Sequence, residues 1–196
     1  SAQDRIDEDL QLNTLYLSLE LSDWYMHKRH IQIVADVDKQ QVESDVSKIA
    51  EDHKNLLDHV IIQTVQPTIE GIANKIRELN PQVVVIDYID LIDPGPTKRG
   101  EYEAIRYISH TLSNMAVNND IIIIQLSQVS REYSKNDVLD LYAGKGSGAI
   151  ENASRKVIGI NGQAKDPVKY LSLFKNSDGE LFSDIPLRWR PSFRLR

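Results

Sequence analysis

Three strand-like, largely apolar segments end in polar residues. Glu20 follows Leu15-Tyr-Leu-Ser-Leu19, Asp87 follows Val83-Val-Val-Ile86, and Gln128 follows Ile121-Ile-Ile-Ile-Gln-Leu-Ser127. An acid after four aliphatic residues can hold a Mg²⁺ that bridges the β- and γ-phosphates of a nucleotide. Such a cation needs one carboxylate plus waters and phosphate oxygens, and no full protein cage. The same Asp87 could equally be a cap on the next turn. Glu20 could polarise an attacking water, and Gln128 could sense a γ-phosphate by hydrogen bonding. Neither Glu20 nor Gln128 stands out alone; with Asp87, at three strand ends, they form a constellation.

Other groups invite weaker readings. Ala143-Gly-Lys145-Gly146-Ser147-Gly148 suits phosphate contact, because glycines let backbone N–H groups approach closely and Lys145 adds charge; it also reads as a flexible Gly-rich turn. Thr97-Lys98-Arg99 is a second basic loop. Arg188, Arg190, Arg194 and Arg196 crowd the C-terminus of a chain whose net charge is −6, so any polyanion would have to be met by a local basic surface rather than by overall charge. A solvated terminal strand explains that cluster as well. The five histidines, His27, His30, His53, His59 and His110, form no recognisable ligand set. Cysteine is absent, which excludes disulfides, thiolate metal sites and Cys nucleophiles, and fits a reducing cytoplasm.

The elements that must position these residues follow from periodicity. Leu15–Leu19 has strand character, and Leu21–Val34 suits a helix with Ser22 or Asp23 as its N-cap. Residues 38–58 carry Val42, Val46, Ile49, Leu56 and Leu57 at helical intervals, which predicts one amphipathic surface helix. Val60–Ile62 is a brief strand and Thr68–Leu79 a helix with Ile69, Ile72, Ala73 and Ile76 on one face. Val83–Ile86, without polar alternation, reads as a strand covered on both faces. Two prolines and two glycines make residues 93–100 a loop. Glu101–Val117 is a helix and Ile121–Ile124 another wholly apolar strand. Strands alternating with helices predict an α/β domain with a mostly parallel sheet, whose ligand site lies at the carboxyl ends of the strands. No apolar run is long enough to span a membrane, and the N-terminus lacks the pattern of a signal peptide.

These segments resemble the bacterial and phage DnaB-type replicative helicases. The likeness runs from about Leu15 to Phe182. Tyr16-Leu-Ser-Leu-Glu20-Leu-Ser with Arg29 downstream is similar to the family's "SLEMS" strand end. Pro67-Thr-Ile-Glu-Gly-Ile72 resembles the helix start before the Walker B strand, and Val83-Val-Val-Ile-Asp87-Tyr-Ile-Asp-Leu91 resembles the Walker B element itself. Ile108-Ser-His-Thr-Leu-Ser-Asn-Met-Ala116 matches the helix after it, Gln125-Leu-Ser-Gln128-Val-Ser-Arg131 the "LSQLSR" element, and Gly146-Ser-Gly-Ala-Ile-Glu151 the "SGAIEQ" segment. The resemblance implies a RecA-like three-layer fold. It implies Glu20 as catalytic base, Asp87 as the Mg²⁺-coordinating acid, Gln128 as γ-phosphate sensor, and ATP with Mg²⁺ as cofactors. It further implies a hexameric ring on single-stranded DNA in a bacterial or phage-infected cell, with primase or a helicase loader as partner. DNA would be gripped through Lys98, Arg99, Lys145, Gly146, Ser147 and Gly148, largely without sequence preference and with strong salt dependence.

The sequence also departs from the family. No Gly-x-x-x-x-Gly-Lys-[Ser/Thr] loop occurs, and the residues before Leu15 hold no glycine. Residues 1–196 are therefore expected to form a single RecA-like domain that is incomplete at its N-terminus and, alone, a poor ATPase. Truncation of a longer parent and genuine loss of nucleotide binding both explain this. Lys175 aligns with a lysine that reaches a neighbouring subunit's ATP, but Ser177 stands where an arginine finger belongs, and serine offers no cationic fork. Either Arg188 or Arg190 substitutes for it, or activation in trans is weak. Arg155 stands where the family often has an acid. These changes point to a divergent, phage-derived member. Two alternatives stay open: a non-catalytic module that binds DNA or aids assembly, and a recombinase-type RecA relative.

Overall fold

The computed structural model describes residues 12–96, 100–129, 147–162 and 166–188. Four strands, β1 (Thr14–Ser18), β2 (Val60–Thr64), β3 (Val83–Asp87) and β4 (Ile122–Gln125), form a parallel sheet in the order β2-β1-β3-β4. Each parallel step needs a crossover. α1 (Asp23–Ala35), with three short helices after it, links β1 to β2; α5 (Ile69–Leu79) links β2 to β3; and α6 (Glu101–Asn119) links β3 to β4.

One face of this sheet carries the core. Leu15 and Leu17 of β1 and Val84 and Ile86 of β3 are fully buried against Ile72 and Ile76 of α5 and Ile108 and Leu112 of α6. The aliphatic runs that predict strands are thus the residues that exclude water, at about 25 cal/mol per Å² of apolar surface. Helix ends are set by side chains. Ser22 caps α1 by accepting from the Tyr25 N–H, and Thr68 caps α5 by accepting from the Gly71 N–H at 3.0 Å. Gly71 is required there, because a Cβ would lie 2.7 Å from the Gln66 carbonyl oxygen.

The segment 38–58 is not one helix. It divides into α2 (Lys39–Ser44), α3 (Val46–Asp52) and α4 (Lys54–Leu57). Asp45 has φ −154° and ψ 60°, which ends α2, and its carboxylate accepts from the Lys48 N–H to start α3. A carboxylate offering the backbone this alternative outcompetes the helical periodicity of Val42, Val46 and Ile49.

Beyond β4, α7 (Ser147–Ala153) packs on α6 and leads into a second sheet. β5 (Lys156–Asn161), β6 (Val168–Asn176) and β7 (Phe182–Arg188) are antiparallel, in the order β5-β6-β7. Gly159 of β5 leaves room for the Phe174 ring, which lies where a Cβ would be. Among the described residues β4 and β5 each pair with a single strand, and both carry exposed isoleucines. Ile122 is 58% and Ile158 59% accessible. The apolar run at Ile121–Ile124 is therefore covered on one side only.

Candidate functional site

The parallel register aligns the carboxyl ends of β1, β3 and β4. Ser18 is level with Asp87, and Ile86 with Gln125. Backbone bonds carry the ladder past the strand ends: the Leu19 N–H donates to the Asp87 carbonyl at 2.8 Å, Leu126 N–H to the Ile86 carbonyl at 3.1 Å, and Ile89 N–H to the Leu126 carbonyl at 3.0 Å. The segments bearing Glu20, Asp87 and Gln128 are thus tied side by side at one rim of the sheet.

Each residue is held by its neighbours. The buried Ser18 hydroxyl donates to the Leu21 carbonyl at 2.6 Å and accepts from the Leu21 N–H at 3.2 Å. This closes a turn that leaves Glu20 exposed at the rim. Asp87 ends β3, is half-buried, and precedes a cis peptide bond to Tyr88. A short 3₁₀ turn, Ile89–Leu91, follows, and Asp90 in it accepts from the Gln128 N–H at 3.4 Å. Gln128 itself is exposed.

The sequence gives no hint of one partner. The Tyr16 hydroxyl, 71 residues away in β1, donates to Asp87 Oδ2. Tyr16 lies on the same face as Ser18, two residues earlier, and reaches diagonally across to β3. Burial first, and then the Asp87 carboxylate, hold its phenol well above the ordinary tyrosine range. Tyr16 therefore remains a donor at neutral pH. Asp87 Oδ1 accepts no hydrogen bond among the described residues.

The donor set would suit the water shell of a cation such as Mg²⁺, whereas residues 1–196 hold no glycine-rich loop to cradle phosphates. One carboxylate oxygen is fixed by Tyr16 and the other left for a metal-bound water, which suits a cation coordinated chiefly by phosphates. Nearby, Asp90 Oδ1, Gln125 Oε1 and Ser127 Oγ are buried with no hydrogen-bond partner. Orphaned polar atoms at a strand-end rim are what a hydrated ligand would satisfy. No cluster of three or more His, Cys, Asp or Glu suited to a metal occurs among the described residues.

Lys175 and Ser177 lie elsewhere. Lys175, in β6, donates to the Glu151 carbonyl at 2.6 Å, so its ammonium anchors α7 to the second sheet. The Ser177 hydroxyl donates to the Arg155 carbonyl at 3.0 Å within the turn that ends β6. Arg155 is paired with Asp178, and with Lys156 it holds that carboxyl below the usual range. Of the proposed DNA contacts, Lys98, Arg99, Lys145 and Gly146 lie outside the described residues, as do Arg131 and Arg190. Ser147 and Gly148 form the first turn of α7 rather than the end of a loop. Arg188 ends β7.

A parallel sheet of this order, with its polar residues gathered at the carboxyl rim, is a RecA-like α/β domain. The solved structure of an ATPase domain superposes with a TM-score of 0.83 at 20% identity, covering 95% of this chain and 75% of that one. A DnaB-like replicative helicase, solved with attention to its interactions with primase, gives 0.77 at 21% identity over 93% of this chain and 49% of that one. A KaiC-like protein of Pyrococcus horikoshii gives 0.59 at 14% identity, covering 95% and 76% of the two chains.

The chain belongs to the DnaB-like helicase C-terminal domain family, which matches residues 2–190. Among curated proteins it is 31% identical over 184 residues to a probable plasmid replicative DNA helicase of Chlamydia muridarum. It is 32% identical over 114 residues to the replicative DNA helicase DnaB of Treponema pallidum. These matches take in 87% and 57% of this chain but only 41% and 25% of the relatives' lengths. No described helix is long and apolar enough to cross a membrane.

Proposed function

We propose that this chain supplies the hydrolytic rim of an ATP-driven replicative DNA helicase. The observation that carries the reading is the alignment of Glu20, Asp87 and Gln128 at adjacent parallel strand ends, with Asp87 steadied by Tyr16. In this reading Glu20 orients and deprotonates the attacking water, and its exposure at the rim suits that task. Asp87 would hold the waters of Mg²⁺, and Gln128, tethered through its backbone to Asp90, would read the γ-phosphate. Bound Mg²⁺ would supply charge neutralisation at the phosphates.

Phosphate positioning also needs a glycine-rich loop with its lysine, which residues 1–196 do not contain. The proposed motor is therefore a polypeptide in which such a segment joins this one, assembled as a ring around single-stranded DNA. Lys98, Arg99 and the segment Lys145–Gly148 would face the DNA, and primase is the proposed partner. Lys175 is proposed to act across the subunit boundary once its bond to Glu151 is exchanged for a phosphate.

Asp87→Asn should lower DNA-stimulated ATP hydrolysis about a hundredfold or more in the polypeptide that carries both segments. Undiminished hydrolysis would remove Asp87 from the mechanism. Calorimetry on residues 1–196 alone should register no ATP binding, and micromolar affinity would contradict the need for the loop.

A further inference from the structure

The Tyr16 hydroxyl occupies one oxygen of Asp87 and leaves the other open. Water at the rim could satisfy a half-buried carboxylate, yet a phenol reaches across from the neighbouring strand to Oδ2. Oδ1 accepts no hydrogen bond among the described residues. The register fixes this arrangement. Tyr16 pairs with Val85 and Ser18 with Asp87, and a slip of one residue would turn the fully buried Leu15 and Leu17 to the other face.

Such an asymmetric carboxylate separates two kinds of cation. Mg²⁺ is small and octahedral, and it binds through a carboxylate oxygen while keeping several of its waters. Ca²⁺ gathers about six to eight oxygens and readily takes both of one carboxylate. Oδ1 alone serves the first ion, whereas the second must strip the phenol from Oδ2. Hydrogen bonds to charged acceptors are the stronger ones in proteins, so this exchange should lower the affinity of a chelated cation about tenfold. A cation drawn to Oδ2 would also approach Arg29, whose charge already reaches the Tyr16 phenol.

We infer, on the reading of Asp87 as the acid that meets the cation, that Tyr16 holds it to one free oxygen and so makes the rim accept Mg²⁺ and disfavour Ca²⁺. Tyr16 does not itself meet the ion. It is a positioning residue that acts through Asp87 and sets which cation the carboxylate prefers.

The test follows residues 1–196 by ¹³C NMR of the Asp87 carboxyl and the Tyr16 Cζ during titration with MgCl₂ or CaCl₂. Glu20 and Asp90, the other carboxylates of the rim, report on their own resonances. In the wild type, Mg²⁺ should move the Asp87 carboxyl and leave Tyr16 Cζ in place, because the bond to Oδ2 survives. Ca²⁺ should act only at higher concentration and should move both. Tyr16→Phe should raise the Ca²⁺ affinity of Asp87 about tenfold and change that for Mg²⁺ less than about twofold. A loss of stability alone would not alter that ratio. Asp87→Asn should leave Tyr16 Cζ indifferent to both ions. An unchanged ratio in Tyr16→Phe, a wild-type Asp87 that prefers Ca²⁺, or an Asp87 carboxyl that neither ion moves would each overturn the inference. Should Tyr16→Phe misfold, Tyr16 Cζ in the wild type decides alone: Ca²⁺ must move it and Mg²⁺ must not. The hydrolysis assay of Asp87→Asn judges the motor separately. Lost hydrolysis with an unchanged ratio keeps the motor and removes the role of Tyr16; undiminished hydrolysis with a changed ratio does the reverse.

Discussion

Tyr16→Phe removes one donor from the rim and leaves the ring that packs in β1. In the native chain the phenol donates to a carboxylate, and hydrogen bonds to charged groups contribute about 1.5–3 kcal/mol. Asp87 is only half-buried, so water replaces part of the lost bond, and the expected cost is about 1–1.5 kcal/mol. In a domain of this size each kcal/mol moves the melting temperature by about 2–4 °C, so Tyr16→Phe should melt roughly 2–6 °C lower. The pH dependence gives a sharper test. An unfolded tyrosine ionises near pH 10, whereas folded Tyr16 holds its proton higher, through burial first and Asp87 second. Above about pH 10 the unfolded state has therefore lost a proton that the folded state retains, and stability must fall as pH rises. The contribution is fully present below that pH. Urea denaturation of both proteins between pH 8 and 11 isolates this residue, because the other seven of the eight tyrosines are common to both. The wild type should lose more stability than Tyr16→Phe on going alkaline. Equal stability at pH 8, with parallel alkaline decline, would refute the assigned bond.

Two further substitutions probe the scaffold. Leu112→Ala opens a cavity where α6 meets the fully buried face of the sheet and should cost about 2–5 kcal/mol in chemical denaturation. Gly71→Ala drives a methyl group onto the Gln66 carbonyl, a backbone atom that cannot swing aside, and should cost about 1–3 kcal/mol despite the better helix propensity of alanine. A stabilised Gly71→Ala would show that the 66–71 turn relaxes freely.

The parallel sheet was legible because Val83–Ile86 and Leu15–Leu19 are apolar runs bounded by polar residues, and those same boundaries mark the rim. The order of the sheet places the strand ends that lead to Glu20, Asp87 and Gln128 beside one another. Tyr16 was not legible. Its hydroxyl meets Asp87 only through a diagonal across two paired strands, a relation that exists once the register is set. Residues 38–58 misled because helical spacing of Val42, Val46 and Ile49 says nothing about Asp45, whose side chain redirects the backbone. No strand is predicted between Ile124 and the arginine-rich terminus, although Val157, Ile158 and Ile160 in β5 and Leu171, Leu173 and Phe174 in β6 of the second sheet supply β-branched and apolar residues. Lys175 sits in that sheet with its ammonium already engaged by Glu151.

The half-open β4 bears on how such a domain behaves in a test tube. Ile121-Ile-Ile-Ile-Gln-Leu126 is uncharged, free of proline and rich in β-branched residues, the composition from which steric zippers are built. With one flank unpaired among the described residues, it presents a ready template to an identical molecule. Asp120, immediately before it, is the nearest charge able to resist such stacking. Concentrated solutions of the domain are therefore expected to polymerise through this hexapeptide, and a charge introduced at Ile122 or Ile124 should suppress it.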